Sequence, residues 1–136
     1  MNKSKTILLL EDDIVDVMTI KRAMQQLNFE NPLQVVSNGE EGLKYLEQAT
    51  ELPELIILDI NMPKMNGIEF LEIIKQHTLW KMISVVVLTT SVDRQDKWNA
   101  FQSGISGYMV KPVDYDQFKE MMDALKKYWN FSESLN

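Results

Sequence analysis

Short apolar runs alternate with amphipathic segments along this chain, and the alternation repeats five times. In the first run the apolar residues are consecutive rather than alternating with polar ones, which is typical of a strand buried on both faces. The predicted strands are residues 5–10, 33–36, 55–58, 83–88 and about 108–110. Gly104 and Gly107 bracket a tight entry into the last of them.

The segments between the strands carry apolar residues at helical spacing. The first predicted helix follows a cap at Asp13 and ends near Asn28, and the second is capped by Ser37 or Asn38. The later helices are predicted to begin near residue 68, to cover 93–102 and to cover about 116–129. The fourth helix is the most polar, so we expect it to be the least firmly packed, with Trp98 and Phe101 as its anchors.

This order of elements predicts an α/β fold, a doubly wound parallel sheet with right-handed crossovers and helices on both faces. Ligands in such folds bind beyond the carboxyl ends of the strands. Chemically capable side chains follow four of the five predicted strands there: Glu11, Asp12, Asp59, Thr89 and Lys111.

Length and composition limit the classes of protein that need to be considered. The 136 residues fit one domain, with a core at about 5–129 and a tail at 130–136. The absence of cysteine excludes disulfides, and the net charge of −6 argues against direct binding to nucleic acid. Each apolar run is too short for a membrane span, so we expect a cytoplasmic protein without a membrane partner.

Glu11, Asp12 and Asp59 would bring three carboxylates together, which is costly unless a cation screens them. A site with only oxygen ligands favours Mg²⁺. As an alternative, Glu11, Asp12 and Asp13 merely cap the N-terminus of the helix that follows, where the helix dipole favours acidic residues. That alternative does not explain Asp59.

A carboxylate at a strand end can also act as a nucleophile towards phosphorus and form an aspartyl phosphate. Lys111 would then stabilise the phosphoryl oxygens, and Thr89 would donate a hydrogen bond to one of them. Taken singly, Thr89 has the alternative role of bonding nearby backbone, and Lys111 that of a solvated surface lysine.

Together these residues resemble the receiver domain of two-component response regulators, over about residues 5–129. The motifs that carry the resemblance are Glu11-Asp12, Asp59 with Met62-Pro63 and Gly67, Thr89, and Tyr108 with Lys111-Pro112. The resemblance implies the flavodoxin-like fold, with five helices around five parallel strands in the order 2-1-3-4-5.

The resemblance also implies that a histidine kinase supplies a phosphoryl group, which the receiver itself transfers to Asp59. Asp12, Asp59 and the backbone carbonyl of Asn61 would bind Mg²⁺ directly. Glu11 would act through metal-bound water. In the family, the positions of Asn61 and Ser91 tune the lifetime of the phosphate.

Four residues from the later motifs have implied roles as well. Lys111 would pair with the phosphate and, at rest, with Asp59, and the bond before Pro112 would be cis. Thr89 and Tyr108 resemble the switch pair, which reshapes the face formed by helix 4, strand 5 and helix 5.

Because helix 5 is followed only by a short tail, we expect a stand-alone receiver, a self-phosphorylating signalling domain rather than a turnover enzyme. The Asp-Ile-Val-Asp-Val segment at 13–17 and Leu-Thr-Thr-Ser at 88–91 are similar to regulators paired with phytochrome-type or other hybrid kinases. Homodimerisation through the face of helix 4, strand 5 and helix 5 is a further expectation.

Two alternatives of other classes remain open at this point. One is an aspartyl-nucleophile phosphatase of the haloacid dehalogenase type, although Asn61 stands where that motif has its second aspartate. The other is a docking module that keeps the fold and works without phosphorylation.

Overall fold

Strands and helices alternate strictly in the computed structural model, which describes residues 2–132. The five strands are β1 (Ile7–Leu10), β2 (Leu33–Val36), β3 (Leu55–Leu58), β4 (Ser84–Thr89) and β5 (Gly107–Val110). The five α-helices are α1 (Ile14–Gln26), α2 (Gly39–Gln48), α3 (Gly67–Gln76), α4 (Arg94–Gln102) and α5 (Tyr115–Phe131). A short 3₁₀ turn, Trp80–Met82, precedes β4.

All four strand pairings are parallel, and the order is β2-β1-β3-β4-β5. The predicted doubly wound fold and its strand order are therefore confirmed. The order reverses between β1 and β3, and the carboxyl ends of these two strands lie side by side because Leu10 is in register with Leu58. This is the position where a ligand site is expected in such a sheet.

The central strands are buried on both faces because successive side chains alternate between two cores. Leu8 and Leu10 of β1 point to the face covered by α2, α3 and α4, whereas Ile7 and Leu9 point to the face covered by α1 and α5. The continuous apolar runs in the sequence follow from this arrangement.

Each of the five α-helices begins at a polar side chain that accepts a hydrogen bond from the first helical turn. These caps are Asp13, Asn38, Asn66, Asp93 and Asp114. The predicted cap at Asp13 is confirmed, and the choice between Ser37 and Asn38 is resolved for Asn38. Asn66 also forms a reciprocal capping box with Glu69.

Helix α4 is packed differently from the prediction. Trp98 and Phe101 are 61% and 58% exposed, whereas Ala100 is fully buried, so the expectation that the two aromatic residues anchor the helix is wrong. Ala100, with its small side chain, is the only buried residue of α4. This agrees with the expectation that α4 is the least firmly packed helix.

Helix α5 begins at Tyr115 and continues to Phe131, so the first residues of the predicted tail 130–136 are helical. Residues 133–136 lie outside the described chain. Between residues 2 and 132, no helix combines the length and the apolarity needed to cross a bilayer.

Candidate functional site

Three carboxylates meet at the carboxyl edge of the sheet, as the sequence predicted. One oxygen each from Glu11, Asp12 and Asp59 lies within 4.8 Å of the other two. Glu11 and Asp59 are buried, and Asp12 is exposed at the rim. Two buried acids beside a third carry an excess of negative charge that only a cation or bound protons can offset.

Backbone hydrogen bonds at the ends of the strands fix this cluster. The Glu11 N–H donates to the Val36 carbonyl and the Asp59 N–H donates to the Leu10 carbonyl, each at 3.0 Å. Because β1 and β3 are in register up to Leu10 and Leu58, the next residue of each strand delivers its carboxylate to the same edge.

The pKa shifts at the site reflect the same excess of negative charge. Burial raises the pKa of Glu11 from 4.5 to about 7, and the charge of Asp59 adds to this effect, while the hydrogen bond from Lys111 opposes it. Burial alone would lower the pKa of Lys111, but hydrogen bonds to Glu11 and Asp16 and the charge of Asp59 outweigh burial and raise it. Both shifts favour a bound proton, as expected for a pocket built to hold positive charge.

Lys111 reaches this cluster from the end of β5. Its ammonium lies 2.5 Å from Glu11 Oε1, 2.9 Å from Asp16 Oδ2 and 3.7 Å from Asp59 Oδ2. The Lys111 side chain is 7% exposed, so it is not a solvated surface lysine. Asp59 is the most distant of its three carboxylate partners.

Asp16 is a member of the site that reasoning from the sequence missed. It lies in the first turn of α1, where an acidic residue is adequately explained by the helix dipole. The available signal was its place in the segment 13–17, in the first helical turn after the acidic pair.

The predicted cis bond between Lys111 and Pro112 is wrong for this structure. No peptide bond in the described residues 2–132 is cis. The trans bond is the intrinsically preferred form even before proline. It is compatible with the position of Lys111, whose N–H donates to the Thr89 carbonyl at 2.8 Å.

Thr89, Ser91 and Tyr108 form a continuous hydrogen-bonded path from the site to α4. The Ser91 N–H donates to Thr89 Oγ1 at 3.2 Å, and the Tyr108 hydroxyl donates to the Ser91 carbonyl at 2.9 Å. The Ser91 hydroxyl donates to Asp96 of α4 at 2.8 Å. Thr89 is fully buried, and its hydroxyl accepts a hydrogen bond from the backbone N–H of Ser91. This is the alternative role that the sequence offered for Thr89.

Tyr108 lies apart from the carboxylates and packs beside α4. Its ring centroid is 6.2 Å from that of Phe101, and the Lys97 ammonium lies 5.8 Å from it. Burial raises the pKa of Tyr108, with a further contribution from Asp96, Asp93 and Asp59. The tyrosine therefore stays protonated and able to donate to Ser91.

The loop after Asp59 is folded tightly against it. The Asn61 N–H points to Asp59 Oδ1 at 3.4 Å, and the Gly67 N–H donates to the Ile60 carbonyl at 2.9 Å. Asn61 is exposed, which leaves its side chain beside the opening of the site.

The sequence matches a known protein family along most of the chain. The family of the response regulator receiver domain matches residues 7–123. The chain belongs to this family of two-component systems. Its fold and the order of its motifs are therefore those of a signalling receiver domain.

Curated relatives match over most of their own length. FilR2 of Methanothrix harundinacea, a probable methanogenesis regulatory protein, is 34% identical over 127 residues, which cover 90% of this chain and 82% of FilR2. The response regulator Rcp1 of Synechocystis is 31% identical over 133 residues, which cover 94% of this chain and 90% of Rcp1.

Solved structures agree with the fold along nearly the whole chain. The phosphorylated cyanobacterial phytochrome response regulator RcpA superposes with a TM-score of 0.91 at 29% identity, covering 98% of this chain and 99% of RcpA. The Mn²⁺-bound form of Rcp1 superposes with a TM-score of 0.87 at 29% identity, covering 97% and 99%.

Proposed function

We propose that this receiver accepts a phosphoryl group on Asp59 from a histidine kinase and signals through the surface formed by α4, β5 and α5. The observation that carries the proposal is the convergence of Glu11, Asp12 and Asp59 beside the buried ammonium of Lys111. Three acids and a buried lysine at one sheet edge match the demands of phosphoryl transfer better than those of a structural cap.

Mg²⁺ fits the site because every available donor is an oxygen and the carboxylates carry surplus negative charge. Asp12, Asp59 and the Asn61 carbonyl would hold the ion, and Glu11 would bind through water. When bound, the ion would neutralise charge on the acids and on the phosphoryl oxygens. The Mn²⁺-bound form of the similar response regulator Rcp1 supports a divalent ion here by similarity.

In the proposed transfer, an oxygen of Asp59 forms a bond to phosphorus while the bond from phosphorus to the donor atom breaks. The electron pair of that bond leaves with the donor, a histidine nitrogen of the kinase. Lys111 moves from its carboxylate partners to a phosphoryl oxygen, and the Thr89 hydroxyl donates to another. Asn61 and Ser91 flank Asp59 and Thr89, and we assign the lifetime of the product to them.

The hydrogen-bonded path from Thr89 explains how the signal would leave the site. When Thr89 Oγ1 turns to the phosphoryl group, it gives up the bond from the Ser91 N–H. Ser91 also contacts Tyr108 and Asp96, so the β4–α4 loop, β5 and α4 respond together. Local charge thereby shifts a weakly anchored helix.

The partner side of the proposal rests on similarity. RcpA is described as a phytochrome response regulator, which supports a phytochrome-type or hybrid histidine kinase as the phosphodonor, and with it a cytoplasmic site of action. Exposed Trp98, Phe101 and Tyr128 make the surface of α4, β5 and α5 suited to a protein target or a second copy. Signalling requires one stoichiometric modification rather than turnover of a substrate.

Intact mass spectrometry after incubation with Mg²⁺ and acetyl phosphate tests the proposal. We expect one phosphoryl adduct on the wild-type chain, stable in acid and labile to base and hydroxylamine. Asp59→Asn and a sample with excess chelator should both lack it.

Phosphate release should be measured in parallel, so that rapid hydrolysis is not mistaken for lack of transfer. If a folded, Mg²⁺-binding protein gives neither adduct nor released phosphate, the phosphoacceptor role is wrong and the docking module is favoured. Hydrolysis of a generic phosphate ester faster than by Asp59→Asn would favour the phosphatase.

A further inference from the structure

We propose that Asp16 is a positioning residue that holds Lys111 away from Asp59 until a phosphoryl group draws the ammonium across. The inference rests on the proposed function and assigns a role to the acidic residue in the segment 13–17. Asp16 would thereby set the balance between the affinity of the site for the metal and its affinity for the phosphodonor.

The distances carry the inference. The ammonium of Lys111 is 2.9 Å from Asp16 and 3.7 Å from Asp59. The first is a hydrogen-bonded ion pair and the second is too long for a direct hydrogen bond. The lysine is therefore held by Asp16 together with Glu11, beyond hydrogen-bonding distance of Asp59.

The usual reason for an acidic residue in the first turn of a helix does not account for this contact. Capping of α1 is performed by Asp13, whose side chain accepts from the Val15 and Asp16 N–H groups. The Asp16 carboxylate is left free to face β5, and it binds a lysine 95 residues away in the sequence. An acidic residue interacts favourably with the helix dipole without an ion pair to a distant lysine.

Arg22, a cationic residue of α1, does not take the place of Lys111 as the partner of Asp16. The Arg22 guanidinium is engaged with Tyr115, because its central carbon lies 4.1 Å from the ring centroid of that residue. One cavity of about 310 Å³ is lined by Asp16, Lys111 and Arg22. It is large enough to admit water to the Asp16–Lys111 ion pair. The Asp16 side chain is 36% exposed, and its carboxylate can rehydrate when the lysine leaves.

Removal of the Asp16 charge has two consequences of opposite sign. Without Asp16, Lys111 pairs more fully with Glu11 and Asp59, so it competes harder with Mg²⁺ for those acids. The same change leaves Lys111 closer to Asp59 and lowers the negative charge, so an anionic phosphodonor binds better. Asp16→Asn should therefore weaken the binding of Mg²⁺ and strengthen the binding of the phosphodonor.

The test compares wild type, Asp16→Asn and Asp13→Asn. Asp13→Asn removes the same charge at the same end of α1, and asparagine keeps the cap. Mg²⁺ affinity is measured by calorimetry, and KM and kcat for acetyl phosphate are measured at saturating Mg²⁺ by intact mass. For Asp16→Asn we expect a Mg²⁺ Kd raised about threefold and a KM lowered about threefold, the scale of a half-exposed ion pair.

Four results would overturn the inference. If Asp13→Asn shifts the Mg²⁺ Kd and the KM as much as Asp16→Asn does, the effect comes from net charge and not from the contact with Lys111. If Asp16→Asn weakens the binding of both Mg²⁺ and the phosphodonor, the substitution has damaged the structure of the site. Unchanged values in Asp16→Asn would also refute it while leaving the proposed function intact. If wild type gives neither adduct nor phosphate release, the proposed function fails and the inference fails with it.

Discussion

At the scale of single residues, Gly67 shows how closely the chain packs behind Asp59. A Cβ at this position would collide with the Asp59 carbonyl oxygen and would lie 2.8 Å from the Ile60 Cα. Both obstacles are backbone atoms of the loop that carries the proposed phosphoacceptor. The glycine is therefore required by close approach, since its φ is not in the left-handed region.

We predict that Gly67→Ala lowers the free energy of unfolding by about 1–3 kcal/mol, the range for overpacking a filled site. Urea denaturation measures the loss. Gly107→Ala is the matched control because a Cβ there meets nothing within 4 Å. Equal stability of the two variants would contradict the close packing described for Gly67.

The residues of the site were predictable to different degrees. Glu11, Asp12 and Asp59 follow apolar strands whose ends must align, so the sequence predicted their convergence. Asp16 was not predictable in the same way, because an acidic residue early in a helix has an adequate local explanation. Its contact with Lys111 depends on how α1 lies against β5, which periodicity does not specify.

At the scale of elements, α4 differs from its neighbours in how it is held. Its buried contact is through Ala100, and its loop is tied to β4 and β5 by the bonds of Ser91. The aromatic residues of α4 were predicted to face inward because large apolar side chains usually do. The helix approaches the sheet through alanine instead, which leaves Trp98 and Phe101 for the surface.

We predict that Thr89→Ala still accepts a phosphoryl group but transmits little of the change to α4. The variant lacks the hydroxyl that accepts the hydrogen bond from the Ser91 N–H, whereas the acids and Lys111 remain. Hydrogen exchange of the amides in α4, with and without phosphorylation, measures the response. In wild type we expect protection of α4 to change on phosphorylation.

Thr90→Ala is the control for this prediction, because Thr90 is the exposed neighbour of Thr89. It should keep the wild-type response of α4. A full response in Thr89→Ala would show that the signal reaches α4 without the path through Ser91.

At the scale of the whole molecule, α5 and α4, which lie on opposite faces of the sheet, are held unequally. On one face, α5 is fastened to α1: Tyr115 donates to Gln26 at 2.7 Å and the Lys126 ammonium donates to the Leu27 carbonyl at 2.5 Å. On the other face, α4 has one buried residue. Unequal anchoring allows a local event to move one element while the domain stays folded.

The acid cluster should also tie the stability of the whole domain to Mg²⁺. Three carboxylates within 4.8 Å repel one another without a cation. Because the proposed ion would bind only the folded chain, we predict that Mg²⁺ at a hundred times its Kd raises the free energy of unfolding by about 2.7 kcal/mol. Without the ion, Asp12→Asn should be more stable than wild type, by up to about 1 kcal/mol, since one repelling charge is lost.

Thermal unfolding of wild type and Asp12→Asn, each with Mg²⁺ and with chelator, measures both effects. Asp116→Asn serves as the control, because it removes an exposed charge from the first turn of α5. Mg²⁺ should stabilise Asp116→Asn as it does wild type and should hardly affect Asp12→Asn. If Mg²⁺ stabilises all three chains equally, the ion acts elsewhere and the carboxylates at the sheet edge do not hold it.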